Sequence, residues 1–290
     1  MRDCILIATN PFRDLNYQAS KKIYQMLSQA GHTCRICPVF AEDDASPQLT
    51  GFPTGSIDAH ASQARLAIVL GGDGTILFVA DLLRKHGLPV AGVNLGGKGF
   101  LTSIEADELE RLLPIAAGSF NVSRRMMLEV TLVRGAETIF HQSVLNDVVI
   151  HGAQAECIGI MAKCDGVPIA HFSGDGILVA TPTGSTAYSM SAGGPIVEPD
   201  NENIIVTPIC PHTMSAKPYV LLPSRTILIE PERIHDRPAI LSADGNSGIS
   251  LMSGDQIIVK RSERAILLAE TGTKSFFDRA FEKLSGYEER

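Results

Sequence analysis

Gly71-Gly72-Asp73-Gly74-Thr75 carries the most concentrated chemistry in the chain. Glycines take turns closed to other residues and let phosphates approach main-chain N–H groups. A helix starting at this point aims its positive end at the same spot. Asp73, set among those glycines, could accept a proton from a hydroxyl nucleophile or help hold a metal. The plainer reading, a strand-to-helix turn with Asp as N-cap, needs fewer glycines. A second cluster, Asn94-Leu95-Gly96-Gly97-Lys98-Gly99-Phe100, also follows an apolar run, and Lys98 could meet a phosphate or be a solvated charge. Asn146-Asp147 interrupts a β-rich stretch. Side-by-side amide and carboxylate suit the paired hydroxyls of a ribose, although a bulge or Asx turn would also explain them. The longest signal runs from Asp175 to Pro195 through Thr-Pro-Thr-Gly-Ser-Thr-Ala-Tyr-Ser. Its small residues admit a flat base, on which Tyr188 could pack.

The elements around these segments alternate in the first third. Residues 4–8, 33–39, 66–70 and 88–93 read as buried strands, and 16–30 and 75–86 as helices. That succession predicts a parallel sheet covered by helices, with glycine-rich loops at the carboxyl ends of its strands, where open α/β sheets bind ligands. After about Asn121, short runs rich in Val, Ile and Thr take over and predict a mostly β second domain. The main exception is 185–192, a candidate short helix. The expected organisation is an α/β nucleotide-binding domain over 1–120 and a mostly β dinucleotide-binding domain over 121–270. The tail 271–290 has helical spacing at Phe276, Phe277, Ala280 and Leu284 and is expected to pack back on the body.

Composition narrows the classes. Hydrophobic residues make up 44% and the net charge is −7, with no basic run. Neither nucleic acid nor an anionic membrane is an electrostatically favoured partner, so nucleotides must be held by local geometry. The run from Gly176 to Val197 carries no charge but is too polar to span a membrane. Ile5 to Ala8 is too short for an export signal and follows Asp3, so a cytoplasmic location is expected. Of six cysteines, Cys34 and Cys37 form a lone Cys-x-x-Cys in a predicted strand, with no second pair for zinc. Buried thiols are the expected outcome.

Taken together, GGDGT at 71–75, NLGGKGFLT at 94–102, LNDVVI at 145–150 and DGILVATPTGSTAYSMSAGGPI at 175–196 resemble the NAD kinase family. PHTMSAKP at 211–218 and LSADGN at 241–246 extend the resemblance over most of the chain. It implies transfer of the γ-phosphate of ATP to the 2′-hydroxyl of the adenosine ribose of NAD, giving NADP and ADP. Asp73 would be the proton acceptor at that hydroxyl, with Gly71, Gly72, Gly74 and Thr75 forming the phosphate loop. NAD would be bound by Asp73, Gly74, Asn146, Asp147, Ser173, Asp175, Thr186, Ala187, Tyr188, Ser189, Met190, Ser191 and Asn246. The resemblance also implies a divalent cation such as Mg2+, whose protein ligands it leaves open, and a homodimer or homotetramer. The chain departs from the family at Phe78 and Ser173, where basic residues are frequent, and at Asn246, where Gln is frequent. Lys98, Arg124 and Arg125 are then the candidates to neutralise phosphates. A lipid kinase of the diacylglycerol type shares the glycine-aspartate loop, but the acidic balance disfavours it. A non-catalytic dinucleotide sensor would not need Asp73.

Overall fold

The computed structural model describes residues 3–40, 47–96, 99–153, 156–232, 238–246, 248–270, 272 and 275–285. The chain divides into one unit formed by residues 1–124 and 265–290 and a second formed by 125–264.

The apolar runs of the first unit become parallel strands. These are β1 (Cys4–Thr9), β2 (Thr33–Pro38), β3 (Ala64–Gly71), β4 (Pro89–Asn94) and the short β5 (Ile104–Glu105), in the order β5-β4-β3-β1-β2. The helices are α1 (Gln18–Gln29), α2 (Ile57–His60), α3 (Asp73–Leu83) and α4 (Leu112–Ala116). Ile5, Ile7, Leu66, Ile68 and Val93 share one core with Ile23 and Leu27 of α1. The predicted helix over 16–30 starts two residues late because Asn16 and Tyr17 take positive φ, 53° and 57°. The buried Asp14 serves the helix start instead: its carboxylate accepts from the N–H groups of Ala19 and Ser20 and from the Thr9 hydroxyl. The helix predicted over 75–86 starts earlier, at Asp73, with extended Gly72 as its N-cap.

The second unit is two antiparallel layers. Its strands are the unit's part of β6 (Asn121–Arg134), then β7 (Glu137–Val144), β8 (Asp147–Gly152), β9 (Ile158–Cys164), β10 (Val167–Gly174) and β11 (Gly176–Ala180). After the one-turn α5 (Tyr188–Ser191) come β12 (Ile204–Ile209), β13 (Tyr219–Leu221), β14 (Thr226–Glu232), β15 (Ala239–Ala243), β16 (Ile249–Leu251) and β17 (Gln256–Glu270). One layer runs β13-β12-β11-β8-β15-β16, and in the other β10 pairs with β9, β9 with β14, and β14 with β17. Leu128, Val148, Ile150, Ile160, Val179 and Ile227 lie in the single core that both layers face.

Two runs that read as separate strands, QIIVKR and RAILLAE, fuse into the 15-residue β17. The polar Ser262-Glu263 between them suggests a turn, but it supplies no Gly or Pro to make one. β10, β13, β15 and β16 escape the sequence reading: β10 and β13 bury no regular face, and β15 and β16 are only five and three residues long. β17 returns the chain to the first unit, where Leu267 and Leu268 pair parallel with Pro89 and Val90. There α6 (Phe276–Leu284) starts in a Ser275/Asp278 capping box. Phe277, Phe281 and Leu284 are exposed, and α6 touches its own unit through Arg279 on Glu270 and Lys283 over Phe100. No helix among the described residues is long and apolar enough to cross a membrane.

Candidate active site

Parallel pairing brings the carboxyl ends of three strands of the first unit together. Thr9 lies opposite Leu70, and Gly71 opposite Asn94. The loops that leave there carry Asn10, Gly72-Asp73 and Leu95-Gly96. Asn10 Nδ2 donates to Thr75 Oγ1 at 3.1 Å, and a Cβ on Gly71 would collide with that same hydroxyl. Glycine at 71 is therefore a packing requirement between strand and helix.

Asp73 is not an N-cap, as no side-chain cap is made at Gly72 and Asp73 is already helical. Its carboxylate reaches across to the second glycine loop. Oδ2 accepts from the Phe100 N–H at 2.7 Å, and Oδ1 from the Leu101 N–H at 3.0 Å. A Cβ on Gly99 would sit 2.8 Å from Oδ1, so only glycine lets this loop close on the carboxylate. The acid thus stands fixed and half-exposed at the start of α3, among N–H groups suited to anions.

Lys283 of α6 is the cation that the sequence reading missed. Its Nζ lies 5.0 Å from the centroid of Phe100, the residue whose N–H holds Asp73. Desolvation lowers the Lys283 pKa from the ordinary lysine value, while the charges of Asp73 and Glu105 raise it again. Lys283 also lines a cavity of about 200 Å³ with Thr102, Ser103, Glu105, Arg111 and Arg279. Helical spacing marked the tail as packing, but nothing in its sequence pointed to Asp73. Arg13 is a second such cation, exposed and 3.5 Å from the Gly96 carbonyl.

Of the cations proposed from sequence, Lys98 lies outside the described residues together with Gly97. Arg124 is exposed, whereas Arg125 is buried, only 3% exposed. Phe78, where a basic residue is frequent in the family, packs on Phe40 with centroids 4.4 Å apart and ring planes inclined at 45°.

In the second unit, Asn146 and Asp147 stand where the chain enters β8. Asp244, in a left-handed conformation with φ 48°, accepts from the N–H groups of Leu145, Asn146 and Asp147 at 2.7, 2.8 and 3.1 Å. This carboxylate belongs to the LSADGN segment, which explains why that segment and the Asn-Asp pair occur in one sequence. Asp147 is buried, and desolvation, with Asp244 adding repulsion, pushes its carboxyl up to about 7. The Thr-Pro-Thr-Gly turn closes on the same point. The Thr181 N–H donates to the Asn146 carbonyl at 2.9 Å and its hydroxyl to the Leu145 carbonyl at 2.6 Å. A Cβ on Gly184 would collide with the Asn146 carbonyl.

Thr186 and Ala187 are half-buried beyond this turn, Tyr188 and Ser191 are exposed, and Met190 is half-buried. Ser189 faces inward, fully buried, with its hydroxyl 3.1 Å from that of Thr207. Asn246 is exposed, and its N–H closes the turn onto the Ala243 carbonyl.

Ser173 and Asp175 lie elsewhere. Asp147 pairs with Ala180, and Asp175 precedes Ala180 by five residues on the same side of the sheet order. At about 3.3 Å per residue, that separates the two acids by roughly 17 Å along the strands.

Residues 5–116 match the ATP-NAD kinase N-terminal domain family and 145–271 the C-terminal domain family. An NAD kinase of Geotalea daltonii is 43% identical over 230 residues, which cover 78% of this chain and 80% of that one. An NAD kinase of Desulforamulus reducens is 38% identical over 88% of both chains. Among solved structures, yeast NADH kinase complexed with NADH superposes with a TM-score of 0.84 at 27% identity, covering 99% of this chain and 89% of that one. An NAD kinase from Archaeoglobus fulgidus in complex with ATP gives 0.75 at 26% identity, covering 98% and 100%. The chain belongs to the ATP-NAD kinase family.

Proposed function

We propose that this protein transfers the γ-phosphoryl group of ATP to the 2′-hydroxyl of the adenosine ribose of NAD, forming NADP and ADP. The observation that carries the reading is Asp73, the first residue of α3, whose carboxylate is held by the Phe100 and Leu101 N–H groups between the two glycine loops. Phosphoryl transfer asks mainly for alignment and charge stabilisation. Asp73 accepts the hydroxyl proton as the nucleophile attacks, and Gly71, Gly72, Gly74 and Thr75 form the loop that faces phosphate. Lys283 supplies positive charge beside Asp73 in place of the basic residue replaced by Phe78.

Asn146 and Asp147 hold ribose hydroxyls, the one donating and both accepting. Thr186 to Met190, together with Ser191 and Asn246, surround the base and ribose. Ser189 does so only through the backbone, since its hydroxyl is engaged with Thr207. Ser173 and Asp175 meet the other end of an extended dinucleotide.

Among the described residues, no three His, Cys, Asp or Glu side chains gather into a metal cage. A magnesium ion carried on ATP phosphates, with Asp73 the carboxylate nearest to join it, fits that composition. The protein works in the cytoplasm, as its six free thiols suit. It assembles as a homodimer or homotetramer, for which exposed Val220 of the edge strand β13 and Leu222 just after it offer an apolar contact.

The test is purified protein incubated with NAD, ATP and magnesium. NADP should accumulate, an NAD analogue lacking the 2′-hydroxyl should bind without being phosphorylated, and diacylglycerol should remain unlabelled. Label passing from ATP to diacylglycerol and none to NAD would overturn the assignment.

A further inference from the structure

At the end of β8 and β11 remote from Asp147, four side chains meet that no sequence motif groups together. Cys157 Sγ lies 3.3 Å from His212 Nε2 and 3.6 Å from Asp175 Oδ1. Cys210, directly after β12, reaches the same carboxylate, and the end of β12 is tied to residues 173–175. The Asp175 N–H donates to the Ile209 carbonyl at 3.1 Å, and the His212 N–H to the Ser173 carbonyl at 2.8 Å. A Cβ on Gly174 would sit 2.9 Å from the Cys210 carbonyl oxygen, so glycine permits the close approach. Cys210 itself is held at φ 45°, a conformation that costs a non-glycine residue energy. It is exposed and Cys157 half-buried, so solvent reaches both sulphurs.

The two thiols have different surroundings. Cys157 has an imidazole nitrogen at hydrogen-bonding distance, a base able to take its proton and leave the reactive thiolate. Cys210, like Cys157, donates to Asp175, and that bond and the carboxylate's charge raise the Cys210 pKa. The His212 imidazole beside Cys157 sets that sulphur to react first, with Cys210 the partner that follows.

We propose that Cys157 and Cys210 are a peroxide-oxidised thiol pair whose disulfide draws Asp175 away from the dinucleotide. The coupling to the dinucleotide rests on the role given to Asp175 above. His212 takes the Cys157 proton, and the thiolate attacks one oxygen of hydrogen peroxide, forming an S–O bond as the O–O bond breaks. The departing hydroxide leaves as water, and Cys157 becomes a sulfenic acid. The Cys210 sulphur then attacks that sulphur, the S–O bond breaks, and a second water leaves with the Cys210 proton. In sum, two thiols give up two electrons, one peroxide becomes two waters, and one disulfide forms. The thiol that donated to Asp175 is then gone, and its sulphur is pulled towards Cys157.

The experiment treats the reduced full-length protein with hydrogen peroxide, alkylates the remaining thiols and maps the digest by mass spectrometry. A peptide joining Cys157 to Cys210 should appear, vanish with dithiothreitol, and be absent from Cys157→Ala and from Cys210→Ser. The oxidised enzyme should show a KM for NAD raised about tenfold, the worth of one charged hydrogen bond, with the KM for ATP unchanged. Both variants should keep the reduced wild-type rate and lose the peroxide response. Recovery of both cysteines as alkylated thiols after peroxide, or a linked peptide with an unchanged KM for NAD, would overturn the proposal. Peptide mapping needs no turnover. If the reduced enzyme made no NADP yet the linked peptide formed, the kinase reading would fall while the thiol pair stood.

Discussion

Asp244 grips the backbone of Asp147 and at the same time repels its side chain. The Asp147 N–H donates to Asp244 Oδ1 at 3.1 Å, while the Asp147 carboxyl, buried beside that negative charge, is pushed up to about 7. Folding therefore favours the protonated form of Asp147. Its contribution to stability is complete below the ordinary value of 3.8 and is lost as pH rises through about 7. Wild-type protein should lose melting temperature over that window relative to Asp147→Asn, which cannot ionise. In the free enzyme, kcat/KM for NAD should show an ionisation near 7 that the same substitution abolishes. A profile flat across neutral pH in the wild type would show that Asp147 does not titrate there.

The other half of that relationship predicts the cost of losing the grip. Asp244→Ala leaves three N–H groups, on Leu145, Asn146 and Asp147, without their acceptor. It also places alanine at a positive φ that Asp and Asn tolerate better. Stability should fall by about 1–3 kcal/mol, the cost of leaving donors unsatisfied, as measured by urea unfolding. Asp244→Asn keeps one acceptor oxygen and the φ, so its loss should be smaller.

Asp73→Asn removes the proton acceptor, and kcat should fall by about 100-fold or more, the usual worth of a general base. Both carboxylate oxygens accept backbone N–H groups, so the amide nitrogen must oppose either Phe100 or Leu101. Melting temperature should drop as well, while calorimetry should find NAD bound with near wild-type affinity. Near-normal turnover would rule out the proton-acceptor role.

Cys34 and Cys37 are buried side chains of β2, and desolvation pushes the Cys34 thiol up to about 12. Replacing both with Ser should cost about 1–3 kcal/mol of stability by burying hydroxyls. Activity at low temperature and the peroxide response should both survive. A peroxide response that disappeared in this double variant would place the redox chemistry at the wrong pair.

What the sequence made legible was what one segment can carry. Glycines around Asp73, the Asn-Asp pair and the Thr-Pro-Thr-Gly turn are local signals, and the β-rich texture after Asn121 showed the change of layer type. Relations between distant segments left no trace in spacing. Gly99 reads as one more loop glycine until the Asp73 carboxylate is found against it, 26 residues away in the chain. Asp175 and Ser189 belong to the same conspicuous segment as Thr186. Yet strand register carries Asp175 to the opposite end of β11, and the twist of α5 turns Ser189 inward. Cys157 and His212 lie 55 residues apart and meet because β10 pairs with β9, setting Ile158 opposite Gly174, and β11 pairs with β12.

Lys283 offers the sharpest remaining test, because charge and packing can be separated there. Its ammonium lies over Phe100, and the carboxylates of Asp73 and Glu105 favour its charged form against the lowering effect of burial. Lys283→Met keeps the length and much of the apolar contact of the stem but removes the charge. If that charge stabilises the transferring phosphoryl group, kcat should fall by about tenfold or more while NAD affinity stays unchanged, since one charged contact is worth about 1.5–3 kcal/mol. A purely structural lysine would lower melting temperature without touching kcat in the surviving fold. Lys283→Arg keeps a charge that does not titrate in the working range and should recover part of the rate. The pH profile separates the cases again. In the wild type, loss of the Lys283 proton should end activity on the alkaline side at a pH below its ordinary value of 10.5. In Lys283→Arg that alkaline limb should move upward, because guanidinium stays protonated. An alkaline limb identical in wild type, Met and Arg variants would exclude Lys283 from the chemistry and leave it as a packing residue of α6.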